Sequence, residues 1–372
     1  GDTQTPHTPA FFDKLTNPTT ADATLKIPAT INGYFAKTSW NRLQWQGTVA
    51  GNKWFTLPKT KAQYAPCAWE DACADLDGLA ADAIALVKAA GVNVAAYDNL
   101  SFVVNNDLDC CAWGGSYVYG GKLFGATWEP PWGQETGTYI HEYGHSIGLP
   151  HSGWKYYAYD SPWDDMSDGS AASYLTCGTY TSANAGAARS IRCTEPGAGY
   201  ITAHKDFKGW IPAANKVVIS AIGTKTLDLE ANALPLGTGI KMVKICIVGQ
   251  ACTGSTARFY TVEARLKSAQ YEKGLPGEGV VVHHVDMARG PIGSGNKCFF
   301  NSQSGWAVPL DATPGDWDAA TCSQGTRTFP NYALYNAQYG KGKVFTSSTY
   351  GIKVEVLDKL TTGFKIRVSR SK

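Results

Sequence analysis

Apolar residues fall at two different spacings along this 372-residue chain, and the change from one to the other divides it. Across residues 69–90, Leu76, Leu79, Ala80, Ala83 and Val87 recur three and four apart and predict a helix, with Gly91 at its C-terminal stop. Residues 100–104, 116–119 and 123–127 are short runs rich in β-branched and aromatic side chains, and they predict strands for that helix to pack on. The first 66 residues, rich in Thr, Trp, Tyr and Pro, also alternate, as in residues 43–49, and are expected to add strands. From Lys216 onwards helical spacing disappears. Residues 217–219, 226–229, 242–248, 259–265, 279–284, 352–357 and 364–368 alternate between Gly and Pro turns, the pattern of a β-sandwich. The expected class is α+β, with one domain over residues 1–212 and an all-β sandwich over 213–372.

Chemistry concentrates in one helical stretch, His141-Glu142-Tyr143-Gly144-His145-Ser146-Ile147-Gly148-Leu149-Pro150-His151. On a helix, His141 and His145 stand one turn apart on the same face and can share a tetrahedral ion. Glu142, beside the first imidazole, is placed to take a proton rather than to ligate. Gly148 can adopt positive φ, which ends the helix and returns His151 as a third ligand. Three imidazoles leave the fourth position of a zinc ion open, which separates a catalytic site from a closed structural one. The motif takes three of the chain's seven histidines.

This extended H-E-x-x-H-x-x-G-x-x-H pattern resembles that of the metzincin zinc endopeptidases. Met166, in the segment Tyr159-Asp160-Ser161-Pro162-Trp163-Asp164-Asp165-Met166-Ser167, looks like the methionine turn of that clan, and the wording around it is similar to secreted peptidases of the gametolysin and immune inhibitor A type. Two later stretches, residues 260–265 and 279–286, are similar to the tail region of the same peptidases. The resemblance implies a catalytic domain of twisted sheet plus helices with one zinc in the cleft, a substrate strand laid along an edge of the sheet, and synthesis as a zymogen. Asp168 stands where astacins and serralysins carry a zinc-facing tyrosine, so no tyrosine ligand is expected.

Composition narrows the class. Lys plus Arg number 33 against 31 Asp plus Glu, no basic run occurs, and a nucleic-acid partner is not expected. No apolar run reaches membrane-spanning length. Ten cysteines without a C-x-x-C point to an oxidising, extracellular compartment and five disulfides. Locality pairs Cys177 with Cys193, Cys246 with Cys252 and Cys298 with Cys322. Neighbouring cysteines rarely bond each other, so Cys110 and Cys111 are expected to reach Cys67 and Cys73 in one of two arrangements. An N-x-S sequon at Asn99 fits secretion. His283 and His284, adjacent on a strand, point to opposite faces and are read as structural, and Glu263 and Arg265 are expected to pair with cross-strand partners.

The expected protein is a secreted, monomeric zinc endopeptidase acting on proteins or glycoproteins, with Glu142 as general base and nothing in the sequence to support calcium. Two alternatives are an inactive peptidase-like protein that binds a polysaccharide or surface partner through its sandwich, and a zinc hydrolase with a non-peptide substrate.

Overall fold

The structure is a computed structural model that describes residues 4–67, 72–152, 161–167, 173–267, 270–288, 305–310, 312 and 336–372. It is a mixed α and β protein with several sheets and few helices. Contacts group the chain into two compact units, the first of residues 1–36, 43–149 and 173–195, the second of 37–42, 150–172 and 196–372.

In the first unit, the N-terminal region departs from expectation. It forms helices α1 (Pro9–Thr16) and α2 (Ile31–Thr38), and residues 43–49 belong to no sheet. The physical reason is local for α1: Thr8 caps it by accepting the Phe11 N–H, Pro9 sits in the first turn, and Phe11, Phe12 and Leu15 fall on one buried face. A short α3 (Lys61–Tyr64) precedes the long α4 (Leu76–Ala89), which Asp75 caps through the Gly78 N–H. Helix α4 therefore starts within the predicted 69–90, at the first residue of the apolar stripe.

Strands β1 (Asn99–Val103), β2 (Trp113–Tyr119) and β3 (Lys122–Glu129) follow in the order β1-β3-β2, with β1 parallel and β2 antiparallel to β3. Gly120 and Gly121, at φ 58° and 80°, make the two-residue hairpin turn that suits the twist of β2 and β3. Alternation along β3 then assigns its faces. Phe124, Ala126 and Trp128 join Leu79, Ala80 and Ile84 of α4 in one apolar cluster, and Gly125 approaches helix α5 (Thr136–Ser146) on the other side. A hairpin of β4 (Ser173–Thr181) and β5 (Ala188–Glu195) completes the unit.

Among the described residues of the second unit, α6 (Thr202–Phe207) precedes the strands β6 (Lys216–Ile219), β7 (Gly223–Glu230), β8 (Met242–Cys246), β9 (Arg258–Arg265), β10 (Gly279–Asp286), β11 (Ala307–Pro309), β12 (Gln338–Tyr339), β13 (Val344–Ser347), β14 (Ile352–Leu360) and β15 (Gly363–Arg370). One sheet runs β11-β10-β9-β8-β6 with β12 also on β10, and the other runs β13-β14-β15-β7. Val243, Ile245, Val262, Ala264, Val280 and Val282 of the first sheet and Val354, Val356, Ile366 and Val368 of the second make a single apolar cluster. Two sheets sharing one core account for the alternation read in the sequence.

Disulfides join Cys177 to Cys193 and Cys246 to Cys252 as locality predicted. The other pairing is corrected: Cys67 bonds Cys73, and the neighbours Cys110 and Cys111 bond each other. Asp109 organises both, since its buried carboxylate accepts the N–H groups of Cys73 (3.0 Å), Ala74 (2.9 Å) and Cys111 (3.1 Å) and the Trp113 indole N–H (3.1 Å). With both segments held by their backbones on one carboxylate, each cysteine closes on its partner in the same segment. Cys298 and Cys322 lie outside the described residues. The Asn99 sequon is also engaged, its amide donating to Ser146 Oγ at 2.7 Å, so a glycan there would displace a contact of α5. Among the described residues no helix is long and apolar enough to cross a membrane.

Candidate metal centre

Helix α5 owes both ends to local chemistry. At its start Glu135 caps it, one carboxylate oxygen accepting the Gly137 N–H and the other the Thr138 N–H, each at 2.7 Å, which places negative charge at the positive end of the helix dipole. At its end Gly148 takes φ 89°, the Gly148 N–H returns to His145 O at 2.8 Å, and the Leu149 N–H returns to Gly144 O at 2.9 Å. These are the paired bonds of a Schellman turn, and the glycine is there because a side chain would strain at that φ.

The same turn orients an imidazole. His145 Nδ1 meets Leu149 O at 2.8 Å, so in the neutral ring Nδ1 carries the proton and the Nε2 lone pair faces His141 Nε2, 3.2 Å away. Nitrogen atoms of His141, His145 and His151 all lie within 4.8 Å of one another and could hold a metal ion. The donor set fits zinc. Two nitrogens at about 2.0–2.1 Å from a tetrahedral ion would stand roughly 3.3 Å apart, close to the spacing of the first two rings. Three neutral imidazoles also match zinc better than calcium or magnesium, which take oxygen.

Glu142, next to His141 in the chain, is buried, and burial pushes its carboxyl up to about 8. A divalent cation at the imidazoles would draw it back towards ionisation. Two further buried carboxylates escaped the sequence reading. Glu129, at the end of β3, is held well above the ordinary carboxyl range by burial and then by the charges of Glu142 and Glu135, and Glu135 is raised chiefly by burial. Their signal in the sequence was faint: Glu129 is an acidic residue on a strand whose remaining residues are mostly apolar or small.

How closely α5 approaches the sheet depends on two glycines. A Cβ on Gly114 of β2 would lie 2.1 Å from Glu142 O, and one on Gly125 of β3 would lie 2.9 Å from Ser146 O. Tyr143 packs against Trp45 with ring centroids 4.2 Å apart and the ring planes tilted by 37°.

Met166 is fully buried in the second unit, and its carbonyl accepts the Ser152 N–H at 3.1 Å, one residue beyond His151. Tyr159, Asp160 and Asp168 lie outside the described residues. His283 is fully buried, and Glu263 and Arg265 are buried on β9. These last two pair with each other and with loop backbone, and Arg265 also with Glu272, rather than with a neighbouring strand, a correction to the cross-strand expectation. Searched against known protein families and against characterised proteins, the sequence matches none of them.

Proposed function

We propose that this protein is a secreted zinc-dependent endopeptidase of the metzincin type. The observation that carries the reading is the convergence of three imidazoles within 4.8 Å, with Glu142 on the helix that carries two of them. Four disulfides among the described residues accord with an oxidising compartment.

His141, His145 and His151 would hold the ion. Zinc, when bound, would supply Lewis acidity towards the scissile carbonyl and would lower the pKa of the attacking water. Glu142 accepts the proton of the attacking water and passes it to the departing amine, a role that suits a carboxyl whose burial raises its proton affinity. The Leu149 carbonyl keeps the His145 proton on Nδ1, so that the Nε2 lone pair is the one directed towards His141. Among the described residues, strand β2 lies at the edge of its sheet, and its backbone groups could pair with an extended substrate.

Glu142→Gln tests the reading. Peptidase activity on casein is expected to fall by at least about 10²-fold, the scale of general-base removal, while zinc measured by atomic absorption stays bound. Near-normal turnover by the pure variant would remove Glu142 from the mechanism. Absence of peptidase activity in the zinc-loaded parent protein would favour the inactive, binding alternative.

A further inference from the structure

Strand β9 turns two charged side chains away from the core shared by the two sheets. Val262 and Ala264 point into that core, so Glu263 and Arg265 point to the opposite face, yet both are fully buried. Their cover is the 161–167 turn that contains Met166, together with residues 197–204. Arg265 Nη1 donates to Trp163 O at 2.6 Å and to Glu263 Oε1 at 2.8 Å. Its Nη2 donates to Ala198 O and meets Glu272 Oε1 at 2.9 Å. Glu263 Oε2 accepts the Thr202 N–H at 2.6 Å.

From there the connections run to the third imidazole. Asp164, next to the Trp163 carbonyl that Arg265 holds, has Oδ2 accepting from Ser152 Oγ at 2.5 Å and lying 3.0 Å from His204 Nδ1. The Ser152 N–H is bonded to Met166 O at 3.1 Å. Ser152 is thus tied to the turn at both its backbone and its hydroxyl, and it is covalently next to His151. Breaking any of these buried charge-assisted contacts would leave a charge uncompensated, so the cluster favours one arrangement of the turn.

We propose that Arg265 and Glu263 are positioning residues for His151: strand β9 holds the Met166 turn, and the turn holds Ser152 and so the ligand. The inference rests on the metal-centre reading, and it gives strand β9 a supporting role for His151. Residues that orient a ligand typically shift metal affinity about 10–100-fold.

The test uses the full-length protein loaded with zinc or cobalt. Ser152→Ala removes one hydroxyl contact at low risk to folding, Arg265→Met removes the anchor, and Arg265→Lys returns part of it. Val354→Ala in β14 serves as a control that thins the shared core without touching the cluster. Metal affinity is measured by competition with a chelator, and ligand geometry by the visible spectrum of the cobalt form. Ser152→Ala is expected to lose about 10-fold or more in affinity with an altered cobalt spectrum, Arg265→Met more, and Arg265→Lys is expected to recover part of the loss. The control should bind metal as the parent does. If Arg265→Met does not fold, Ser152→Ala alone decides. Parent-like affinity and spectrum in Ser152→Ala, or an equal loss in Val354→Ala, would overturn the positioning role. Failure of the parent to take up metal would instead overturn the metal-centre reading.

Discussion

Gly114→Ala isolates the contact that seats helix α5. The added methyl would stand 2.1 Å from the Glu142 carbonyl oxygen, with Glu142 C and Cα both at 2.7 Å. A carbon and a carbonyl oxygen normally come no closer than about 3.3 Å, so β2 and α5 must separate by roughly 1 Å. The neighbours are backbone on both sides, and no flexible side chain can yield. Overpacking typically costs about 1–3 kcal/mol, and a backbone obstruction belongs at the upper end, about 3 kcal/mol. With a urea slope of about 1–3 kcal/mol per molar, the unfolding midpoint should fall by about 1–3 M. Gly115 is the internal control, because a Cβ there meets nothing within 4 Å, and Gly115→Ala should stay within about 1 kcal/mol of the parent. Urea unfolding followed by tryptophan fluorescence measures both. Since α5 carries His141, Glu142 and His145, the same displacement should cost about 10²-fold in activity, and metal retention on dialysis should weaken. Parent-like stability in Gly114→Ala, or equal destabilisation by the two substitutions, would refute the argument that a bare backbone is required there.

Three further outcomes are expected. Phenanthroline should abolish activity and added zinc restore it, and zinc at about 100 times its Kd should stabilise the parent by about 2.7 kcal/mol but not His151→Ala, as thermal unfolding would read; equal stabilisation of both would remove His151 from the ligand set. Burial holds His283 down to about 4 against an ordinary 6.5, so between pH 6.5 and about 4 the unfolded chain takes up a proton that the folded one refuses; stability should be lost over that window as pH falls, by about 3 kcal/mol. His283→Leu should flatten the slope between pH 6.5 and 4.5, and identical slopes would show that the imidazole is protonated in the fold. Asp109→Ala leaves four donors without their acceptor and should cost about 3–5 kcal/mol, with Asp109→Asn in between; a loss under about 1 kcal/mol would mean that water takes over the carboxylate's role.

What could be read from the chain alone was local. The H-E-x-x-H spacing, the positive φ of Gly148, helix α4 and the disulfides of Cys177 with Cys193 and Cys246 with Cys252 each depend on residues close together in sequence, where periodicity and turn chemistry act directly. The alternation from Lys216 onwards likewise announced strands, because inward and outward positions differ by one residue. Helices α1 and α2 were missed because aromatic and Thr-rich composition favours strands, whereas their caps and buried faces decided otherwise. Other features could be decided only by tertiary structure, since each joins segments far apart in the chain. Gly114 is required by a carbonyl on α5, Glu129 takes its proton affinity from burial and two other carboxylates, and Arg265 finds Trp163 about a hundred positions away. Packing and charge pairing of this kind depend on distance in space, which periodicity along the chain does not encode.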